Sequence, residues 1–574
     1  MTQRRWVTRG ERFGEEALAG LRSRLEVGSL TAEALLRRGI TTAEAGRAFL
    51  QSRLAHLPDP SGLAGIDRAV ARLVKAIEGE EAISVHGDYD VDGVTGTALL
   101  VEILRAFGGR VDYHIPERLK DGYGLSGQAL KDSAMAGTRV VVSVDCGISA
   151  IEEAELAASL GLDLIITDHH QPPPGLPRAY ALVNPHLDEG RTPFQALAGV
   201  GVAFFLLIAL RKVLRERGWF VSRPEPDLRL CLDLVALGTV ADLVPLTGVN
   251  RTMVKAGLSV LSGGERVGIE ALKEVSGVKE VSSGNVGFQL APRLNAAGRL
   301  VDAGRGVELL LTRSADEARS AAQDLDALNQ ERRRIEAQTL EQALERLEGE
   351  GAEGLGRSIV LADARWHSGV IGIVASRLVE RYYRPTVLIS LENGRGKGSA
   401  RSISGFHLYR AFDQCRDHLL GFGGHAYAAG LTIESGQVGA FADRLEEEAR
   451  DALCEEDLHQ RIVHDGEVAL DTLSFEAVSE LQGLAPFGMG NPEPAFVARG
   501  VEVERVRKAG QQHLAFDVRQ GGVSLPCIAF GLADRQAELS GPIDLLFAPS
   551  LNRWRGRSSV QLKVKDWRPG ECGD

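Results

Sequence analysis

Between residues 80 and 250 short apolar runs alternate with helix-period segments: AISV, TGTALLVEILRAF, VDYHI, TRVVVSVD, AIEEAELAASLG and LDLIITD follow in that order. Strands alternating with helices of this length predict βαβ units around a parallel sheet, whose ligands bind beyond the carboxyl ends of the strands. The longest apolar run, Val200 to Leu210, falls short of the ~20 residues that span a bilayer and reads as a buried helix. From Ser314 to Gly349 the chain has no proline and no internal glycine, which predicts one long helix, too polar to be buried all round, connecting two lobes. The next segment contains a G-x-G-x-x-G string (Gly349, Gly351, Gly354), but it follows a helix where a dinucleotide fingerprint needs a strand, so it reads as a linker. A second α/β pattern occupies about 357–455. Residues 460–570 carry short strands between glycine turns (VEVERVRK, HLAFDVRQ, SLPCIAF, IDLLFAP, VQLKVKDW), the pattern of a small β-barrel of the OB type. The expected fold class is α/β: a parallel-sheet lobe and a smaller α/β lobe joined by a long helix, plus the C-terminal barrel.

At 574 residues the chain exceeds one hydrophobic core. Six cysteines lie far apart with no C-x-x-C pair, which argues against a zinc site and a disulfide framework and fits a reducing, cytoplasmic compartment. The first residues are charged and lack the apolar stretch of a signal peptide. Net charge is −12, which disfavours a nucleic-acid partner for the whole surface. Charge is uneven, however: from Arg499 to Arg568 there are 12 Lys/Arg against 7 Asp/Glu. A basic module on an acidic body points toward an anionic partner. Within it, NRWRGRSSVQLKVKDW interleaves Arg553, Arg555, Arg557, Lys563 and Lys565 with Trp554 and Trp567. Aromatics among cations suit a single-strand-binding surface; a solvated strand edge guarded by lysines is the competing reading.

Four stretches place acids or histidines just after apolar runs read as strands: HGDYDVDG (His86, Asp88, Asp90, Asp92), SVDCG (Asp145), ITDHH (Asp168, His169, His170) and GTVADLVPL (Asp242). One aspartate there could merely cap a loop. Four groups converging on one sheet edge need a cation, and mixed oxygen and imidazole donors suit Mn²⁺ and tolerate Mg²⁺. Two ions ~3.5 to 4 Å apart can clamp a phosphoryl group, so phosphoester hydrolysis is the expected reaction class.

The ITDHH triplet, H-x-x-x-D-x-D (His86, Asp90, Asp92), Asp145 and Asp242 resemble, in order, the metal motifs of the DHH phosphoesterase superfamily. HIPERLKDGYGLS, LVALGTVADLVPL, LAPRLNAAGRL, WHSGVIGIVASRL, GKGSARSISGFHL and GFGGHAYAAGLTI resemble the RecJ single-strand-specific exonucleases over nearly the whole chain. The resemblance implies an N-terminal helical extension (1–60), a DHH catalytic domain (61–313), a connecting helix (314–350), a DHH-associated domain (351–456) and an OB-fold-like nucleic-acid-binding domain (457–574). It implies two Mn²⁺ or Mg²⁺ ions, one held by His86, Asp90 and Asp145 and the other by Asp92, Asp145, His169 and Asp242, with Asp145 bridging. His170 would be a catalytic group near the scissile phosphate, and Asp168 is counted with it. Asp88 lies outside the frame and would orient a ligand or a water, or ligate directly. Ser399 and Arg401 would hold the 5′ end of a strand, with His425 in the glycine-rich motif beside them.

Arg118 and Tyr123 offer a phosphate contact and a base-stacking face, against a half-buried loop residue as the alternative for Tyr123. Arg299 and Arg305 are further phosphate contacts, against a helix cap or an ion pair between lobes. The implied activity is 5′ to 3′ exonuclease digestion of single-stranded DNA to 5′-mononucleotides in recombination and repair. The implied setting is a monomer, away from membranes, with a single-strand-binding protein and a RecQ-like helicase as partners. One alternative is a DHH phosphodiesterase for nanoRNA, adenosine 3′,5′-bisphosphate or a cyclic dinucleotide, which needs no basic barrel. The other is a non-catalytic DNA-binding relative, which could dispense with the metal ligands that are all present here.

Overall fold

The apolar runs of the first half form five parallel strands, in the order Arg110–His114, Ala82–Gly87, Val140–Val144, Asp163–Thr167, Ala181–Val183. The chain leaves Ala82–Gly87 for one side of the sheet and returns to build the other, so the topological switch lies between Ala82–Gly87 and Val140–Val144. Crevices at such points are where α/β proteins bind ligands. Val140–Val144 is buried along its whole length, as expected for a parallel strand covered on both faces. The helices Val91–Ala106 and Gly199–Glu216 supply part of that cover, and the run from Val200 to Leu210 is the buried helix its composition predicts. This computed structural model describes residues 4–117, 124–188, 192–349, 355–554 and 556–570.

One expectation is corrected here. LVALGTVA, read as a strand leading to Asp242, is the helix Leu232–Ala241, with Asp242 as its C-cap. Every residue from Leu232 to Val240 is buried, and a run that is apolar on all sides shows neither the period of a helix nor that of a strand.

The chain divides into two units. The larger comprises Thr8–Gly298, Asp302–Gln323 and Val463–Asp574; the smaller comprises Met1–Val7, Arg299–Val301 and Asp324–Ile462. The expected long helix is Ala315–Gly349, and the chain passes from one unit to the other within it.

The larger unit contains the C-terminal barrel, closed in the order Phe496–Ala509, His513–Gln520, Val523–Ala529, Arg557–Pro569, Ile543–Trp554. Its interior is continuous with that of the N-terminal helices: Leu30, Leu35 and Leu36 from Ser29–Arg37 and Leu481 from Phe475–Gln482 share one core with Phe496, Phe516, Phe547 and Trp567. Ion pairs seal the junction. The buried Asp465 carboxylate accepts hydrogen bonds from Arg9 Nε (2.9 Å), Arg38 Nη1 (3.1 Å) and the Ala495 amide (2.9 Å). A strap from Gly483 to Asn491 then ties this module to the sheet-bearing part. Arg251, fully buried, donates to the carbonyls of Phe49 (2.9 Å), Leu484 (2.8 Å) and Gly483 (3.4 Å), so its charge faces the carbonyl ends of two helices. Burial pushes its pKa down to about 10, helped by the charge of Arg38. The Leu246 amide donates to Met489 O at 2.8 Å, and the Ser283 hydroxyl donates to Phe487 O.

The smaller unit has its own five-stranded sheet, in the order Gly421–Gly424, Ala428–Glu434, Arg395–Arg401, Thr386–Glu392, Ile359–Asp363. The glycine-rich motif forms the edge hairpin of this sheet. Among the described residues no helix is long and apolar enough to cross a membrane.

Candidate metal centre

Each acidic stretch lies at the carboxyl end of an element of the larger unit, three of them strands of the parallel sheet and the fourth the helix Leu232–Ala241. His86 is the penultimate residue of Ala82–Gly87; its Nε2 lies 3.1 Å from the hydroxyls of Ser84 and Ser133, while Nδ1 is buried with no hydrogen-bond partner among the described residues. Asp90 caps the helix Val91–Ala106, accepting from the amides of Asp92 (2.9 Å) and Gly93 (3.1 Å). Asp92, in the first turn of that helix, accepts from the amides of Gly199 (2.6 Å) and Val200 (2.9 Å) at the N-terminus of Gly199–Glu216. A helix N-terminus is a place for a negative charge, which is why this buried apolar helix begins against a carboxylate. Asp145, directly after Val140–Val144, adopts φ 62°. That left-handed conformation costs an aspartate of order 1 kcal/mol and persists only where the surroundings impose it.

His169 joins these groups. Its Nε2 lies 3.1 Å from Asp145 Oδ1, 3.6 Å from Asp242 Oδ2 and 3.8 Å from Asp92 Oδ2. Among the described residues, three sets of donor atoms fall within 4.8 Å of one another: Asp92, His169 and Asp242; Asp145, His169 and His170; Asp88, Asp90 and Asp145. Ligands at ~2.1 Å around a common octahedral ion sit ~3 Å from their cis neighbours and ~4.2 Å from the trans one, so these separations fit a cation among them. The unpartnered buried atoms fit it too: Asp88 Oδ1, His169 Nε2 and Asp242 Oδ2 find no hydrogen bond among the described residues.

The protonation energetics point the same way. Burial, reinforced by Asp90, raises Asp92 to about 7; burial, reinforced by Asp92, raises Asp242 to about 9; Asp88 and Asp145 are pushed well above the carboxylate range by burial and then by their acidic neighbours. Burial lowers His86 to about 3 and His169 to about 4, leaving both imidazoles neutral and able to donate a lone pair. Such a set is costly to bury without positive charge and has the donors of a hard or borderline divalent ion.

Asp168 has a different part. Its carboxylate accepts from the amides of Ile148 (2.9 Å), His169 (2.7 Å) and His170 (3.1 Å), and Oδ1 lies 2.7 Å from His170 Nδ1. Burial opposes its charge, yet these bonds leave its pKa below the usual range. Burial likewise opposes charge on His170, but the Asp168 bond and the nearby carboxylates of Asp92 and Asp90 raise its pKa. The sequence reading missed Asn184 and His186. Asn184 Nδ2 donates to His170 O at 2.9 Å, its Oδ1 accepts from the His186 amide at 2.8 Å, and the His186 ring is hydrogen-bonded to the His169 backbone. The only sequence signal was VNPH at the end of the last, short strand.

In the smaller unit Ser399 and Arg401 share one face of Arg395–Arg401, with Arg401 Nη1 3.3 Å from Ser399 Oγ. Both abut the first turn of the helix Ile371–Tyr382: a Cβ on Gly372 would fall 2.7 Å from Ser399 Oγ and 3.1 Å from Arg401 Nη2. Gly430 and Ala428 pair across from Ser399 and Arg401, and the exposed His425 lies in the connection of the same hairpin. Arg299, which groups with this unit, donates to Gly369 O at 3.1 Å. Arg305 is exposed on Gly304–Leu311 in the larger unit. Arg118, Tyr123 and Arg555 lie outside the described residues, and of Arg553 and Trp554 only the backbone, at the end of Ile543–Trp554, is described.

Comparison with known proteins agrees with this layout. Family models match residues 82–239 (DHH family, N-terminal domain), 356–451 (DHHA1 domain) and 464–566 (RecJ OB domain). The chain is 39% identical over 564 residues to the single-stranded-DNA-specific exonuclease RecJ of Bacillus subtilis, covering 97% of this chain and 70% of that one. It is 40% identical over 528 residues to the Escherichia coli protein of the same name, covering 88% and 91%. The crystal structure of Thermus thermophilus RecJ in complex with Mn²⁺ superposes with a TM-score of 0.84 at 33% identity, over 99% of this chain and 80% of that one. With three family regions in this order along a barrel-ended α/β chain, and identity near 40% over nearly its whole length, the chain belongs to the RecJ family of DHH nucleases, a group of hydrolases.

Proposed function

We propose that this protein is a two-metal exonuclease that degrades single-stranded DNA from the 5′ end to 5′-mononucleotides. The observation that carries the reading is the position of His169 Nε2, 3.1 to 3.8 Å from the carboxylates of Asp145, Asp242 and Asp92. The names of the relatives, and Thermus thermophilus RecJ complexes with Mn²⁺ and with Mg²⁺, support it. Asp92, Asp145, His169 and Asp242 would hold one ion; Asp90 and Asp145, with His86 or Asp88, the other. Bound there, divalent ions supply a Lewis acid that activates water and neutralises charge on the phosphoryl oxygens.

The chain's own groups do the rest. Asp168 fixes a proton on His170 Nδ1 and favours a second on Nε2, so that His170 presents a charged donor to the scissile phosphate. Asn184 and His186 keep the His169–His170 backbone in place. Ser399, Arg401 and the N-terminus of Ile371–Tyr382 offer a hydroxyl, a guanidinium and amides to one anion, the chemistry a 5′ phosphate needs, and the open backbone of the glycine hairpin beside them leaves room for it. Residues 457–574 would hold the uncut strand. A role in recombination and repair, a monomeric state, a cytoplasmic location, delivery of the strand by a helicase and cooperation with a single-strand-binding protein belong to the same reading.

The test compares 5′-labelled and 3′-labelled single strands with Mn²⁺, Mg²⁺ or EDTA, using wild type, Asp145→Ala and His169→Ala. The reading expects 5′ label released first as mononucleotide, no activity in EDTA and a loss of at least 10³-fold in both variants. Undiminished variants would overturn the metal assignment, and release of the 3′ label first would overturn the polarity.

A further inference from the structure

The π-helical turn Val286–Leu290 packs against the helix Leu232–Ala241, which Asp242 caps, and the helix Ala291–Leu300 that continues it packs against the backbone between Asp88 and Asp90. At one end Gly287 faces Val240, two residues before Asp242: a Cβ on Gly287 would lie 3.9 Å from Val240 Cγ1. At the other end Gly298 packs against the backbone of Tyr89, between Asp88 and Asp90, so closely that a Cβ would fall 2.4 Å from Tyr89 O. The start of the segment is pinned as well, by a capping box between Ser282 and Asn285 and by the Ser283 hydroxyl on Phe487 O. A π-turn inserts a residue into the helical repeat and re-aims the side chains around it, and such turns concentrate at functional sites. Here Val286 and Leu290 are buried, while Phe288 between them is 81% exposed. Leu243, directly after Asp242 and at φ 64°, is 66% exposed. Two large exposed apolar side chains thus stand next in the chain to Asp242 and to Gly287, the residue that faces Val240.

We propose that Phe288 is the stacking face for one unpaired base of the strand held in the metal centre, and that it makes the site selective for single strands. The proposal rests on the nuclease reading given above. An aromatic face accepts any base, so it suits an enzyme indifferent to sequence, and a base still paired in a duplex has neither face free to receive it. The rigid anchoring of the π-turn at both ends lets the ring hold a base without ordering a loop first. Phe288 is thus a positioning residue for the strand and takes no part in proton transfer or metal binding.

A walk of single abasic sites along a 5′-labelled oligonucleotide tests this with wild type, Phe288→Ala and Phe288→Trp, measuring binding with Ca²⁺ in place of Mn²⁺ and single-turnover cleavage with Mn²⁺. The expected result is that Phe288→Ala binds intact single strands about 5- to 100-fold more weakly, with Phe288→Trp close to wild type. At one position of the walk the abasic site should cost wild type a similar factor and Phe288→Ala nothing further, the non-additivity of two changes that remove one contact. Cleavage at saturating strand should fall by less than threefold, a KM effect with little change in kcat. The proposal is overturned if Phe288→Ala binds within twofold of wild type, or if no position shows the non-additive loss. Wild type that fails to cut single strands at all would overturn the nuclease reading itself.

Discussion

Substituting Gly199 with alanine adds one methyl group where the buried helix Gly199–Glu216 begins, and the metal centre should register it. The added Cβ would lie 2.6 Å from Asp145 Cβ, 2.8 Å from its Cα and 2.9 Å from its Oδ1, whereas ordinary contact starts near 3.4 Å. Helix start and Asp145 must therefore separate by about 0.8 Å, the difference between those distances. Asp145 is held by its strand and its left-handed backbone, so the helix must give way, and the 2.6 Å bond from the Gly199 amide to Asp92 must stretch with it. A misplacement approaching 1 Å costs catalysis about 100-fold, or ~2.7 kcal/mol at 1.36 kcal/mol per decade. Overpacking costs stability ~1 to 3 kcal/mol, less than the ~5 to 15 kcal/mol by which domains are folded, so the variant should remain native. Single-turnover release from a labelled strand with Mn²⁺, calorimetric titration of Mn²⁺ and a thermal melt by circular dichroism separate the two effects. Gly439→Ala, at an exposed position of the helix Val438–Ala452 where a Cβ meets nothing within 4 Å, is the control and should leave release and Mn²⁺ binding unchanged, with a melt no lower than that of wild type. A folded Gly199→Ala enzyme with kcat within threefold of wild type would refute the idea that this close approach sets the spacing of Asp92 and Asp145.

Metal should stabilise the protein more at pH 8 than at pH 5.5. Asp92 and Asp242, raised to about 7 and about 9, keep protons that the unfolded chain releases above ~4, so the metal-free fold loses stability as pH rises through that window while its affinity for cations grows. Thermal shifts with Mn²⁺ and with EDTA at the two pH values check it, and a pH-independent difference would count against the carboxylate cluster as the metal site. Asp168→Asn should lower kcat by roughly 10- to 100-fold and move the alkaline limb of the rate profile to lower pH, because His170 loses the anion that favours its charged form; an unmoved limb would separate His170 from the rate. Asp465→Ala strands the nearly buried Arg38 beside Arg9 and should cost ~3 to 5 kcal/mol in denaturant unfolding. A barrel expressed without residues 15–51 should fail to fold, since it would lack Leu30, Leu35 and Leu36 from its core; a cooperative melt of residues 457–574 alone would contradict this.

Where local pattern and local structure coincide, the sequence was legible. Short strands between Gly turns led to the barrel, alternating strands and helices to the parallel sheet, and the unbroken polar segment to the helix Ala315–Gly349. The candidate metal-site residues could be picked out because four acidic stretches closely follow apolar runs, and the structure brings groups from all four together even though the last of those runs is a helix. What stayed hidden depends on partners distant in sequence. Nothing in the period of Ser29–Arg37 says that its apolar stripe belongs inside a barrel built more than 450 residues later, and nothing in Asn184 or His186 says that they hold the backbone of His169 and His170. The φ of 62° at Asp145 was equally invisible, because the surrounding packing imposes a conformation that aspartate rarely chooses.

The shared core of the N-terminal helices and the barrel also sets an order of events during synthesis. Arg38 meets Asp465, its partner 427 residues away, only after all the intervening chain has been made. At ~5 to 20 residues per second the ribosome needs roughly 20 to 90 s for that stretch. Throughout this interval Leu30, Leu35 and Leu36 have only the neighbouring N-terminal helices, such as Leu21, to pack against and lack the barrel half of their core, so the growing chain carries exposed apolar surface for a time that a translational pause before the barrel would prolong.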